Sequence, residues 1–390
     1  MDFRRVAPAA AVGLATAAIL VVTWTPVPGA GPQPAGLFWN GTLNLADVLR
    51  NLILFAPLGA SLWWRGGPPR RALAFAALLS ASIEIVQGGL PIAGRDASAV
   101  DLVSNTAGAG LAIALLRAKS TTLELLAGAG AAVVLASTGF LFAPSPTEQR
   151  YFAHHVPDFA NLAPYQGKVI DAAIDDVGMP VGWISDSPRI RTALSRDHVL
   201  RVSARAGPAP AGRSALFMIT DVHQREIESL GPDRDDLLYR YRNRGFALGL
   251  EFARVRVPHA LRDVRAGNLL ELRAERAGSD LCFTVDRSVN CGYGFSVGDG
   301  WLLIGLEGRV LGAWRSGLGI VWLACLFAPL GMFGRGNPVA SAAWAIAVAA
   351  LFLSPMTGLR PTPVSQLAGA GVGVALGFGA RRIAAQLGGS

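Results

Sequence analysis

Several ionisable and amide side chains of this chain sit inside long apolar runs, at spacings that bring them together. Asp47 and Asn51 are four residues apart, with Arg50 between them, so the acid and the amide share one face of a helix. Glu84 and Gln87, three apart, occupy the next apolar run, and Arg95, Asp96 and Ser98 follow in a short polar stretch. Asp101, Asn105 and Gly108 then recur at i, i+4 and i+7. A charged side chain at the centre of a lipid-embedded helix costs at least about 2.5–3.5 kcal/mol on insertion scales, so these positions are functional suspects. The expected chemistry is binding. Asp47, Glu84 and Asp101 would surround a lipid headgroup or polar substrate, while Arg50 or Arg95 grips a phosphate or carboxylate.

The same residues admit a purely structural use. Arg50 can neutralise Asp47, Arg95 can pair with Asp96 or Asp101, and Asn and Gln can supply interhelical hydrogen bonds. An oxygen-rich set also suits Mg²⁺ or Ca²⁺, yet no dense ligand motif is present, and no metal or other cofactor is expected. All five histidines lie outside the apolar runs, so no nucleophile–His–acid constellation accompanies these acids.

The elements that must position these residues follow from composition. Of 390 residues, 52% are hydrophobic and only 16% charged, with a mean hydropathy of +0.40. An ordinary soluble enzyme would carry about a quarter charged residues. Arg, Asp and Glu crowd into one central stretch, which predicts a membrane protein with a water-soluble insert. Measured against the ~20 apolar residues that a bilayer core requires, eight segments read as spanning helices: 6–24, 45–64, 72–89, 100–116, 122–142, 314–333, 338–354 and 363–380. The first reads as a retained span; its apolar run exceeds a usual signal-peptide core, and further spans follow.

Basic residues flank these segments in five groups: Arg4 and Arg5; Arg65, Arg70 and Arg71; Arg117 and Lys119; Arg335; and Arg381 and Arg382. With a cytoplasmic N-terminus every group falls on the cytoplasmic side, as the positive-inside rule requires. Both termini are then cytoplasmic and residues 143–313 extracytoplasmic. The net charge of +8 is accounted for by this orientation. No interleaved basic and aromatic stripe points to nucleic acid. The domain reading is 1–142 for helices one to five, 143–313 for the insert and 314–390 for helices six to eight.

Leu54-Phe55-Ala56-Pro57-Leu58-Gly59 returns as Leu326-Phe327-Ala328-Pro329-Leu330-Gly331, and Ser104–Gly110 is matched by Ser365–Gly371. The expectation is a degenerate 4+4 parallel repeat, with chemistry confined to the first half because the second lacks most of the polar residues.

The order Asp47-x3-Asn51-x3-Phe55-x-Pro57-x-Gly59, Glu84-x2-Gln87, Arg95-x2-Ser98-x2-Asp101-x3-Asn105-x2-Gly108 resembles the VanZ-like membrane family over roughly residues 30–116. That family takes its name from a protein implicated in low-level resistance to the glycopeptide teicoplanin. The resemblance implies a bacterial cytoplasmic-membrane protein with a site at these residues. It supplies no reaction, and the family's usual unit is smaller than this chain.

The central stretch changes period. Leu200–Ala204, Ala215–Thr220, Leu237–Arg242, Ala247–Phe252, Leu269–Ala274, Leu281–Asp286 and Leu302–Ile304 read as short strands separated by turn residues, predicting an all-β sandwich. Ser214–Asp221 and Asp236–Arg242 look like the laminin-G or concanavalin-A-like jelly-roll group, whose members often bind glycans, proteins or Ca²⁺. Cys282 and Cys291 flank a hairpin centred on Asp286-Arg287, so a disulfide across it is expected, on the oxidising side of the membrane; Cys325 reads as a small apolar residue. His154-His155 without acidic or thiol partners reads as hydrogen-bonded rather than metal-binding. Glu226 and Glu228 are spaced for one strand face. The combined expectation is an envelope protein whose partners are a membrane lipid or lipid-linked precursor and an external glycan or protein. A membrane enzyme acting on a lipid carrier, a transporter and a structural anchor are the rivals.

Overall fold

A computed structural model describes residues 3–25, 37–38, 44–90, 97–159, 161–305, 314–334 and 336–388. Helices occur at all eight places where the apolar runs predict them. Six of these are long and apolar enough to cross a membrane: Ala7–Trp24, Leu45–Trp64, Pro69–Gly89, Ala99–Arg117, Ser120–Phe142 and Arg315–Phe333. The chain divides into two compact units: residues 1–123 with 248–250, and residues 124–247 with 251–390.

The first unit holds α1 (Phe3–Trp24), β1 (Leu37–Phe38), α2 (Leu45–Trp64), α3 (Pro69–Gly89), β2 (Ala97–Ser98) and α4 (Ala99–Arg117). Local chemistry fixes the helix starts. The Asn44 side chain accepts from the Ala46 N–H at 3.0 Å to open α2, and Ser98 accepts from Val100 to open α4, each satisfying a backbone donor that a helix terminus leaves orphaned. Ile19, Phe55, Leu58, Ala76, Ile83 and Ala109 form the buried core of this unit. Alpha-2 and α4 touch backbone to backbone: a Cβ added at Gly59 would collide with the Ala109 main chain, and one at Gly108 with that of Leu52. Such close approach is open only to small residues.

The second unit contains α5 (Ser120–Phe142), the β-rich region, α6 (Ser187–Leu194), and the final helices α7 (Arg315–Phe333), α8 (Pro338–Phe352) and α9 (Val364–Gly388). Helix α5 packs with the later helices, since Gly128 lies against Trp344. In the α7–α9 pair, Gly331 abuts the main chain of Val374 and Gly373 that of Ala324.

Two six-stranded antiparallel sheets make up the β-rich region. One contains β3 (Phe152–His155), β6 (Gly182–Trp183), β8 (Phe217–Thr220), β9 (Glu226–Asp233), β10 (Asp236–Tyr241) and β11 (Ala253–Val257), in the order β11-β10-β9-β8-β3-β6. The other contains β4 (Lys168–Ile174), β5 (Val177–Gly178), β7 (Val199–Arg205), β12 (Leu269–Ala277), β13 (Asp280–Val285) and β14 (Ser288–Tyr293), in the order β14-β13-β12-β7-β4-β5. Tyr239 of the first sheet meets Phe283 of the second at 5.7 Å between ring centres, as expected where two inner faces interdigitate. Cys282 and Cys291 form the expected disulfide between β13 and β14, and Asp286-Arg287 is the two-residue turn that joins them.

Two expected strands are something else. Residues 247–252 are not extended, because Arg244–Leu248 is a 3₁₀ turn. The Asn243 side chain accepts from Phe246 N–H and donates to the Glu251 carbonyl, both at 3.0 Å, which replaces strand pairing with side-chain capping. Leu302–Ile304 lies in a 3₁₀ helix, Val297–Ile304, started by a reciprocal Ser296–Asp299 capping box. Conversely, β9 (Glu226–Asp233) is a full strand where the sequence marked only the strand-like spacing of Glu226 and Glu228.

Candidate functional site

The polar residues of the first unit fall into linked sets, and their helices explain the grouping. Asp47, in the first turn of α2, is ion-paired with Arg50. One turn after Asp47, Asn51 crosses to α4, where its amide donates to Asp101 Oδ1 at 2.7 Å and to Ser104 Oγ at 3.2 Å. A second set joins α3 to the start of α4: Glu84 Oε2 accepts the Ser98 N–H at 2.7 Å. The Asn105 amide donates to Ser80 of α3 at 3.0 Å, and Gln87 donates to the Thr23 carbonyl of α1 at 3.0 Å.

Burial separates these sets. Glu84, Gln87, Ser98, Ser104 and Asn105 are all buried, and each is held to another segment or to its own helix. Buried hydrogen bonds of this kind fix helix register, and a carboxylate on a backbone N–H is among the stronger ones. Asp47, Arg50, Asn51 and Asp101 are only partly buried. They lie at the beginnings of α2 and α4, where helix dipoles favour the two carboxylates. Of these linked residues, Asp47, Arg50, Asn51 and Asp101 are the ones that keep exposed side-chain surface, while Glu84 and Ser98 tie α3 to the start of α4. Arg95 lies outside the described residues. The sequence singled out the acids and amides but missed their serine partners Ser80 and Ser104, for which the i,i+4 spacing of Ser80 to Glu84 is the available signal.

In the β-rich region the two adjacent histidines are hydrogen-bonded, as expected, whereas the two glutamates are arranged differently from expectation. His154 and His155 are successive residues of β3; His154 Nε2 lies 2.9 Å from Thr220 Oγ1, and His155 Nε2 lies 2.8 Å from the Met179 carbonyl. Glu226 and Glu228 do not act on one face. A bulge pairs Thr220 with Glu226 but Ile219 with Glu228, and the extra residue turns the two carboxylates toward opposite partners. Glu226 meets Arg240 at 2.7 Å and Arg213 at 2.9 Å. Glu228 points between the sheets, accepting from Tyr239 OH at 2.6 Å and lying 3.0 Å from His198 Nε2.

Burial by itself would lower the His198 pKa, but the Glu228 carboxylate beside it raises the net value above the ordinary 6.5. Burial likewise opposes the charge on Glu228, and the imidazole with the Tyr239 hydroxyl overcomes it, leaving that carboxyl below its ordinary range. On the other face, Arg256 bridges Asp233 at 2.5 Å and Asp236 at 2.9 Å. Donor atoms of Asp235, Asp236 and His259 lie within 4.8 Å of one another, but Asp236 is already taken by Arg256 and by the His259 N–H. That grouping is an ion-pair corner of the sheet.

One further polar cluster was not anticipated. Gln366 of α9 is buried and accepts from Ser296 Oγ at 2.9 Å, while Asp299 of the same turn holds Arg315 Nε at 2.8 Å. Gly298 and Gly319 both lie against the Gln366 amide.

Residues 14–120 match the family described as VanZ/LLP1, the family that the spacing of the polar residues resembles. The matched segment runs from within α1 to just beyond α4 and so contains the whole quartet. No curated protein sequence and no solved structure matches the chain. Together with six apolar helices of spanning length, the match makes this a multi-pass membrane protein with a VanZ-like N-terminal segment.

Proposed function

We propose that the VanZ-like segment is a receptor for a lipid-linked or glycan-related envelope molecule, with Asp47, Arg50, Asn51 and Asp101 in contact with its polar group. The carrying observation is the Asn51–Asp101 contact between two partly buried side chains whose helices start side by side. Asp101 and Asn51 accept and donate to hydroxyl or amide groups, and Arg50 offers a cation to a phosphate once it exchanges Asp47 for ligand. Glu84 and Ser98 are positioning residues in this reading.

The β-sandwich is the part that meets an external glycan or protein. Its placement outside the cytoplasm rests on the five basic clusters and on the Cys282–Cys291 disulfide, a bond suited to an oxidising compartment. The VanZ resemblance implies the bacterial inner membrane, the same charge argument puts both termini in the cytoplasm, and a role in glycopeptide tolerance is a consequence to be tested.

The repeat belongs to this proposal as well. Superposing the α2–α4 glycine contacts on those of α7–α9 sets Gly59 on Gly331 and Gly108 on Gly373, which aligns Asp101 with Gln366 and Asp47 with Gly319. This is one helical turn from the alignment of Ser104 with Ser365. In this reading the second pair retains the packing of the first, and its polar place is filled by the chain's own Ser296–Asp299 turn.

The experiment is binding of a polyisoprenyl-phosphate-linked sugar to the full chain in lipid nanodiscs. Asp101→Asn and Asn51→Ala proteins that fold normally are expected to bind at least about tenfold more weakly; binding equal to that of the unaltered chain refutes the reading. Flux of the same molecule into proteoliposomes would favour a transporter instead.

A further inference from the structure

The first sheet ends, on its β6 edge, in a row of rings. Trp183 of β6 stands opposite Phe152 of β3, and the two rings meet edge to face at 5.3 Å between centres. Phe152 continues to His154 at 4.5 Å, and His154 to Phe159 at 5.2 Å. Register fixes the face they occupy. Ala153, Ile219 and Glu228 stand opposite one another across β3, β8 and β9, and Glu228 points between the sheets, so Phe152 and His154 project from the outer face. Phe159 belongs to the loop after β3, which leaves the strand through Val156 at a φ of 48°, a conformation that a β-branched residue rarely adopts. Burial holds the His154 imidazole below its ordinary 6.5, which keeps the row uncharged at neutral pH.

Trp183 is the open end of this row. It is 51% exposed, with Val181 of the same edge 60% exposed. The indole is nonetheless held in place, because Phe152 packs against it and the Arg150 guanidinium lies over its ring at 4.6 Å. A large aromatic side chain that is fixed before it binds loses little conformational freedom on binding. A fixed, half-open indole is a stacking platform.

The surroundings select the occupant. Arg150 is exposed, the exposed Asp158 precedes Phe159, and Ser185 and Asp186, both exposed, follow Trp183. Charges of both signs and a hydroxyl beside an aromatic face suit a molecule that carries hydroxyls around a ring with apolar faces. A pyranose sugar is such a molecule: its axial C–H groups, slightly positive, meet the electron-rich face of the indole, and its hydroxyls meet the rim. A guanidinium stacked on a ring directs its N–H donors outward in its own plane, where sugar oxygens can accept them. The carboxylates of the rim disfavour an anionic lipid surface as the occupant.

We propose that this edge of the sandwich binds a glycan by stacking a pyranose ring on Trp183, with Arg150 donating to the sugar oxygens. The assignment rests on the reading of the sandwich as the part that meets an external glycan, and it is independent of the site on α2 and α4.

The test is binding of the full chain in lipid nanodiscs to immobilised neutral, N-acetylated and carboxylate-bearing oligosaccharides, followed by titration of the tightest binder in solution. Trp183→Ala is expected to weaken binding at least about tenfold with an unchanged melting curve, and Arg150→Gln by about threefold. Saturating oligosaccharide should also shift tryptophan emission to shorter wavelength, and Trp183→Phe, which keeps a ring at the edge, should fold, bind and lose that shift. Should Trp183→Ala fail to fold, the Trp183→Phe measurement stands in its place. Full binding by a folded Trp183→Ala chain, or a shift that persists in Trp183→Phe, would overturn this site and leave the glycan reading of the sandwich standing. Absence of binding to every oligosaccharide would overturn both. Quenching by brominated nanodisc lipid of an emission component that Trp183→Phe removes would seat Trp183 in the membrane and overturn the site as well.

Discussion

Two helix pairs of this protein, α2 with α4 and α7 with α9, are packed by the same device and differ in what they do with their polar ends. In each, glycines let the backbones touch: Gly59 and Gly108 in one, Gly331 and Gly373 in the other. In the first pair the polar ends stay partly exposed as Asp47, Arg50, Asn51 and Asp101. In the second, Gln366 is buried under Ser296 and Gly298. Close helix packing thus sets a scaffold without fixing its use; a few side chains at its rim determine whether it stays open or is closed by the chain itself.

The strongest way to break the comparison is to remove its shared basis. Gly108→Leu drives a branched side chain into the Leu52 backbone, and Gly373→Leu does the same at Ala324. Overpacking costs about 1–3 kcal/mol where neighbours can shift, and helix backbone cannot. Both variants are expected to yield no folded protein by size-exclusion chromatography in detergent; survival of one alone would show that the two pairs are not held alike.

Cys282→Ser should lower stability by about 2–3 kcal/mol, the chain-entropy value for so short a closed loop. Thermal unfolding in detergent should show the loss in the sandwich, with both helix pairs retaining their helical signal.

Glu84→Gln tests whether the first site is braced from α3. The amide retains an acceptor for the Ser98 N–H but loses the charge assistance, so a loss of about 1–2 kcal/mol is expected, read as a shift in the denaturation midpoint. No shift would mean that Glu84 serves the ligand rather than α4.

A smaller effect separates the buried polar pair of the sandwich from those of the helices. His198 is raised, so its contribution is fully present below its unfolded value near 6.5 and fades as pH climbs through the folded value. Glu228 is lowered, so its contribution is present above its unfolded value near 4.5 and fades as pH falls through the folded value. Stability from this pair is therefore greatest between those limits, about pH 5–6. His198→Gln should remove the decline toward alkaline pH in melting temperature, a slope of at most about 1.4 kcal/mol per pH unit.

The helices were legible because a bilayer imposes a length and a composition that a linear sequence displays directly. The disulfide hairpin was equally local. What escaped was non-local. Strand β9 hides behind acids whose cost is offset by Arg213 and Arg240 from elsewhere in the fold, and the bulge that divides Glu226 from Glu228 depends on the neighbouring strand. For the candidate site, the acids and amides announced themselves by being out of place in apolar runs, but the division into a buried brace and an exposed quartet depends on helix packing. The small residues of α9 fit the Ser104–Gly110 motif at more than one turn, so the sequence match sets Gln366 opposite Asn105, one turn from the Asp101 place that the glycine contacts give it.

The most direct test of the open-versus-closed account compares two single variants at the aligned positions. In nanodisc binding of a polyisoprenyl-phosphate-linked sugar, Asp101→Asn is expected to weaken binding at least about tenfold while Gln366→Ala leaves it unchanged. Equal losses in the two variants, or none in Asp101→Asn, would contradict it.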